Sequence, residues 1–376
     1  MKEIIIMTKP YRADLVGSFL RPAELKQAHQ DFLAGKLSNA REVQIQHEAI
    51  KDLVQKQAAA GFTAVTDGEF SRQYWHLDFL WGLLGVEKLN NVKYERNFKG
   101  NINTADNVTL TGKIAANPNH PFYDAFEFLQ SVTPTGHEPK FTIPSPALLL
   151  RDHRSDNWHE FYANYADYAQ AIAQAYIDTI QHFYDLGLRY LQIDDTNWAF
   201  LIDNLKRNEG DPEAQKPFVD LAQTAHDIIK NVLAHKPADL TIASHICRGN
   251  FQSTFLFAGG YEYVADYIKD LPYDGLFLEY DNERSGGFAP LATLWNGDQH
   301  KRIVLGLITS KFADLEDPAA VEARIQAATQ YVPLENLAIS TQCGFASTEQ
   351  GNKITDADQW AKLALVQQVA QATWKD

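Results

Sequence analysis

Four side chains in this sequence could together hold a metal ion. His245 and Cys247 lie in Thr241-Ile-Ala-Ser-His245-Ile-Cys247-Arg248-Gly-Asn250. If residues 241–246 form a strand, alternation sends both to one face, two positions apart, within reach of a single ion. The only other cysteine, Cys343, follows the apolar run Leu337-Ala-Ile-Ser-Thr-Gln, and Glu279 ends a third run, Gly275-Leu-Phe-Leu-Glu279. A lone cysteine is ordinarily a small buried hydrophobe. What raises these four above that reading is their common placement at the ends of three apolar runs, which is how a parallel barrel assembles a site from separate strands. Two thiolates favour zinc over magnesium or calcium.

Other strand-like runs also end in polar residues. Phe62-Thr-Ala-Val-Thr runs into Asp67-Gly-Glu69-Phe-Ser-Arg72, two carboxylates and a guanidinium that serve either a site or a solvated loop with a local ion pair. Arg189-Tyr-Leu-Gln-Ile delivers Asp194 and Asp195, which suit metal ligation, acid–base work, a substrate ammonium or a helix cap. With a thiolate-rich metal site expected elsewhere, substrate binding is the better role for Asp194. Near the N-terminus, Val16-Gly17-Ser18 reads as a turn into a helix, where exposed N–H groups could hold a carboxylate or simply turn the chain.

These residues need elements to carry them. Strand starts near 13, 62, 140, 189, 241, 275, 302 and 337 make eight, separated by helical stretches. That pattern predicts an α/β fold, a single (β/α)8 TIM barrel spanning 1–376. Alternation over 90–115, with turns at Lys99-Gly-Asn101 and Asp106-Asn107, predicts a β-hairpin inserted after the second strand. Helices are expected after Ser38, over Pro121–Val132, after Asp156 with an aromatic stripe at threes and fours, and over Pro217–Ala234. The aromatic segment Gln73–Trp81 reads as a lid or wall.

A chain of 376 residues, 45% hydrophobic, buries a large core, and its net charge of -14 argues against nucleic-acid or anionic-membrane partners, leaving small molecules. The apolar run within Met1–Met7 is too short for a signal peptide and no stretch approaches a membrane span, so the expectation is a cytoplasmic protein whose two cysteines stay reduced.

Taken together, Val16-Gly-Ser18-Phe, Asp67-Gly-Glu69, Leu191-Gln-Ile-Asp194, His245-x-Cys247, Glu279 and Gln342-Cys343-Gly344 resemble, in order, the catalytic C-terminal barrel of cobalamin-independent methionine synthase. The likeness runs from about residue 10 to the end, as in the shorter, single-barrel methionine synthase II-like proteins. It implies that His245, Cys247, Glu279 and Cys343 bind zinc, that Gly17 and Ser18 contact the carboxylate of homocysteine, and that Glu69 and Asp194 receive its ammonium. The implied reaction is methyl transfer to the homocysteine thiol. Zinc lowers a thiol's pKa and so makes a nucleophile available.

The resemblance departs from the family at one point. Where the full enzyme carries a histidine acid after the seventh strand, Gly306-Leu-Ile-Thr-Ser-Lys311 puts Lys311, either a replacement for that acid or a surface lysine. The full enzyme also has an additional N-terminal barrel that contributes to folate binding. A methyl donor other than 5-methyltetrahydropteroyl triglutamate is therefore expected, such as a sulfonium or a carrier-bound methyl. The alternatives are a zinc-thiolate alkyltransferase acting on an epoxide or another electrophile, and a zinc-thiol binding module that needs a partner protein.

Overall fold

The structure, a computed structural model, describes residues 9–93 and 104–374. Seven strands pair in parallel in the order β1 (Ala64–Val65), β4 (Glu138–Pro144), β5 (Tyr190–Asp195), β6 (Thr241–Ile246), β7 (Gly275–Glu279), β8 (Arg302–Ile308) and β9 (Leu337–Thr341). Helices lie between them, the arrangement of a TIM-like barrel. Between β1 and β4, strands β2 (Leu84–Lys93) and β3 (Thr104–Ala115) form a separate antiparallel pair. Among the described residues no helix is long and apolar enough to cross a membrane.

Period-two alternation sorts the side chains. Leu191, Ile193, Ile242, Ile246, Leu276, Leu278, Ile303 and Leu305 point outward into the large core shared with the helices. On the other face Tyr11, Val16, Ala64, Tyr190, Ala243, Phe277, Val304 and Ala338 form a second, smaller cluster enclosed by the strands. Higher along this inner face the residues become polar, with Asp194 directly paired to His245 across β5 and β6.

Several sequence expectations need correction. The strand expected from residue 13 is one isolated parallel bridge, Ala13 to Ile339, and β1 is only two residues long. The antiparallel pair starts at Leu84 rather than 90, because Gly85, at φ 76°, lets the β3 backbone approach; a Cβ there would meet the Lys113 carbonyl oxygen at 2.4 Å. Asp106 and Asn107 lie within β3 rather than in a turn, while the Lys99–Asn101 turn and the Met1–Met7 run fall outside the described residues. The aromatic-striped helix begins at Tyr165, where the Asn164 side chain accepts from Asp167 N, and not after Asp156. Asn157 is instead tied to β3, its Nδ2 donating to the Leu110 carbonyl at 2.9 Å. The helix expected from Pro217 begins at Pro212, capped by Asp211, five residues earlier, and a helix over Asn197–Arg207 precedes it.

Where ladder pairing is sparse, side chains do the joining. Arg12 donates to the carbonyls of Glu335 and Leu337 at 2.9 Å each, Gln57 makes two 2.8 Å bonds to the Thr66 backbone, and Thr66 Oγ1 donates to Gly17 O at 2.7 Å. Inside the strands Lys140 Nζ donates to Asp14 Oδ1 at 3.0 Å, and Tyr190 OH to Asp14 Oδ2 at 2.7 Å, with Lys140 and Asp14 fully buried.

Candidate metal centre and substrate pocket

His245 sits on β6, Cys247 just beyond it, Glu279 at the last position of β7, and Cys343 two residues past β9. One ligand atom from each lies within 4.8 Å of all the others, and all four residues are buried. The two Sγ atoms are 3.7 Å apart. Two thiolates about 2.3 Å from a tetrahedral zinc are separated by about 3.8 Å, so the spacing fits that ion. Among the described residues neither buried ring nitrogen of His245 has a hydrogen-bond partner, which is costly for an imidazole unless something else occupies it. The donor set, the spacing and the orphaned imidazole suit a structural or catalytic zinc and no hard-cation cage.

Surrounding groups orient these four side chains, as partners around metal sites generally do. Glu279 Oε1 accepts from Arg248 N at 2.7 Å, and Oε2 from Arg284 Nη2, whose Nη1 lies 2.8 Å from Asp281. Gln342 Oε1 accepts from Ser310 N at 2.6 Å, and Asn250 Nδ2 donates to the Gly344 carbonyl at 2.9 Å, fixing the turn that carries Cys343. The thiols divide their proton unequally. The Cys247 contact and His245 pull Cys343 down to about 5 against burial, whereas the Cys343 contact and burial push Cys247 well up. Burial would lower His245, but Cys343, Asp194 and Glu279 together raise it. Burial would likewise raise Glu279, yet Lys311, Arg284 and His245 hold it below its ordinary value.

Val16, Ser18, Glu69, Trp75, Asp194, Gly344 and Ser347 line one pocket with His245, Cys247 and Cys343. Glu69 and Asp194 are its acidic wall. Glu69 Oε1 accepts from Thr142 Oγ1 at 2.9 Å and lies 3.5 Å from Arg72 Nη1, while its Oε2 is buried with no partner among the described residues. Burial raises Glu69 although Arg72 and Arg21 oppose it, and burial with the Glu69 charge raises Asp194 to about 7, opposed by His245. Gly17 is required where it stands: its φ is 144°, and a Cβ would come 2.9 Å from Thr142 Cγ2 and 3.5 Å from Glu69 Oε1. Gly344 packs against Ser18 so closely that a Cβ would fall 2.0 Å from Ser18 Oγ. A larger hollow at the opposite end, beside Gly136, His137 and Arg189, holds none of these residues.

With the site described, similarity to known proteins can be set beside it. The family description "Cobalamin-independent synthase, Catalytic domain" matches residues 161–371. The uncharacterised protein YxjH of Bacillus subtilis is 43% identical over 97% of this chain and 95% of its own length. The chain belongs to the cobalamin-independent synthase catalytic-domain family. A Listeria monocytogenes crystal structure, assigned provisionally as a vitamin-B12 independent methionine synthase, is 37% identical, covers 98% of this chain and 99% of its own, and superposes with a TM-score of 0.76. A B12-independent methionine synthase from Shewanella, solved with selenomethionine, shares the fold at 18% identity and a TM-score of 0.70, covering 96% of this chain and 97% of its own.

The structure thus brings together the four expected ligands with Ser18, Glu69 and Asp194. Gly17 stands between the lining residues Val16 and Ser18, where an added Cβ would come 3.5 Å from Glu69 Oε1. Lys311 is 2% exposed, so it is not a surface lysine, and its Nζ has no hydrogen-bond partner among the described residues. Sequence reasoning placed Trp75 in a wall without assigning it to the pocket, and it missed Ser347, which no spacing or motif marks.

Proposed function

We propose that this chain is a zinc-dependent S-methyltransferase that converts homocysteine to methionine. One observation carries the reading: a convergent His-Cys-Glu-Cys donor set and a buried two-carboxylate wall face the same small pocket. The fold is read as a single (β/α)8 domain over residues 1–376, the segment around Ala13 serving as a much reduced eighth strand and the antiparallel pair as an insertion.

In this reading His245, Cys247, Glu279 and Cys343 hold zinc, which when bound supplies a lowered thiol pKa. Glu69 and Asp194 receive the substrate ammonium, and Gly17 and Ser18 its carboxylate. That anchoring leaves the side chain directed at the thiolate-rich side and sets the sulfur for in-line attack on a methyl carbon. One S–C bond forms, the donor's bond to that methyl carbon breaks (C–S in a sulfonium, Co–C in a methylated corrinoid) with its electron pair leaving on the donor, and the thiol proton is released. Lys311 acts as a fixed positive charge beside Glu279. With Lys311 rather than a histidine at this place, the donor is read as one whose leaving group departs without a proton, such as a sulfonium or a methylated corrinoid. Two reduced thiols suit a reducing compartment such as the cytoplasm.

Methionine formation by zinc-loaded protein should be measured with homocysteine and, separately, 5-methyltetrahydropteroyl triglutamate, S-methylmethionine and methylated corrinoid. Turnover is expected with the sulfonium or corrinoid and little or none with the folate. Efficient turnover with the folate alone would overturn the donor assignment. Turnover with none would overturn methyl transfer and favour alkylation by another electrophile.

A further inference from the structure

Arg21 is only 5% exposed, yet among the described residues no carboxylate lies within ion-pair distance of its guanidinium. Its donors go to backbone carbonyls instead. Nη2 donates to Glu69 O at 2.7 Å and Arg72 O at 3.0 Å, and Nη1 to Ala346 O at 2.8 Å, Thr348 O at 3.3 Å and Phe19 O at 3.4 Å. One planar fork thereby joins three separate loops: those carrying Ser18, Glu69 and Ser347, each of which lines the pocket. The bond to Glu69 matters most. Glu69 has φ 60°, a left-handed conformation that a non-glycine residue holds only when its surroundings fix it. Its amide is held by Asp67 Oδ1 at 2.9 Å and its carbonyl by Arg21, so both sides of the turn that aims the carboxylate inward are fixed. None of the five acceptors belongs to a proposed metal ligand.

We propose that Arg21 is a positioning residue for the amino-acid end of the pocket, holding Glu69, Ser18 and Ser347 in the arrangement that receives a thiol amino acid. The inference rests on the homocysteine reading above but concerns a residue that touches no substrate. Lysine offers a compact point charge rather than a fork and cannot span loops on two sides. A displacement of about 1 Å at such an anchor is enough to cost up to about 100-fold.

Arg21→Lys and Arg21→Ala should be compared with wild type in the zinc-loaded full chain by three measurements: zinc per chain, homocysteine binding and KM against kcat, and amide hydrogen exchange. The expected result is unchanged zinc, a homocysteine KM raised about tenfold or more with kcat within a few-fold, and faster exchange confined to the loops around 18–21, 68–73 and 345–348. Guanidinium ion should partly restore binding to Arg21→Ala. Unchanged exchange in those loops would overturn the staple, and faster exchange with unchanged homocysteine affinity would overturn its positioning role. Zinc lost in proportion to binding would make Arg21 a general structural residue instead. Wild-type protein that binds zinc but no homocysteine would overturn the substrate reading, while the exchange data would still decide the staple.

Discussion

The two sides of the pocket are built by different means. The four proposed ligands stand at or just past the ends of β6, β7 and β9, in a run of strands whose ladders are continuous from β4 onward. Ser18 and Glu69 come from the first seventy residues, where pairing shrinks to one bridge and a two-residue strand. That side is held by side chains reaching backbone: Arg21, Thr66, Gln57, and Gln192, whose Nε2 donates to Val16 O at 2.6 Å. A ladder gives each residue its own bonds and fixes a ligand's direction to the pleat. A few long side chains concentrate the same task in single residues, so the substrate side should be more sensitive to single substitutions than the metal side is to changes outside its ligands.

Loss of a cysteine takes from the metal side what the ladders cannot replace. Cys247→Ala and Cys343→Ala should each lower bound zinc sharply and abolish methyl transfer, while far-ultraviolet circular dichroism stays native because the barrel has its own core. Full zinc stoichiometry in the double variant would end the metal assignment.

Lys140→Met comes next, and it tests whether the sparse N-terminal side really leans on side chains. The pair lies between the first segment and β4, and removing one partner strands Asp14 in a buried setting, a loss of about 3–5 kcal/mol. Denaturant unfolding should show that loss, with zinc retained by the folded fraction. Zinc release in step with destabilisation would mean that the two sides are not separately built. Asp14→Asn combined with Lys140→Met should recover part of the stability, since no charge is then left unpaired.

How much of this could be read from sequence follows the same division. His245, Cys247, Glu279 and Asp194 were legible because strand alternation and apolar runs fix side-chain direction, and the ladder delivers them as the pattern says. Glu69 and Ser18 were visible as motifs, but nothing local to them shows what holds them in place. Arg21 was invisible as a functional residue because its partners are carbonyls, which every residue has. The helix starts at Tyr165 and Pro212 were misplaced because Asp156 and Pro217 resemble start signals, while the caps in use are Asn164 and Asp211. Lys311 was ambiguous because burial of a long cationic side chain depends on loops that no spacing rule predicts.

Substitution of Asp194 separates binding a ligand from holding the fold. Asp194 is buried at the pocket wall and its folded pKa is raised to about 7, chiefly by burial and by the neighbouring Glu69 charge. A carboxyl with a raised folded pKa binds more protons when folded than when unfolded, so stability falls as pH climbs from its ordinary value near 4 to about 7. Asp194→Asn removes that penalty. The variant should therefore unfold at a higher temperature than wild type at pH 7–8, in the absence of thiol, with the gain vanishing near pH 4. It should also bind homocysteine more weakly by about 1.5–3 kcal/mol, roughly 10- to 100-fold in KM, as expected for replacing a charged hydrogen bond to an ammonium. Glu69→Gln, whose carboxyl is raised in the same direction by burial, should behave alike. A residue that holds the fold together would lose stability on substitution; one kept charged for a ligand should gain it. Loss of thermal stability at neutral pH together with unchanged homocysteine affinity would move Asp194 from the substrate wall to the scaffold.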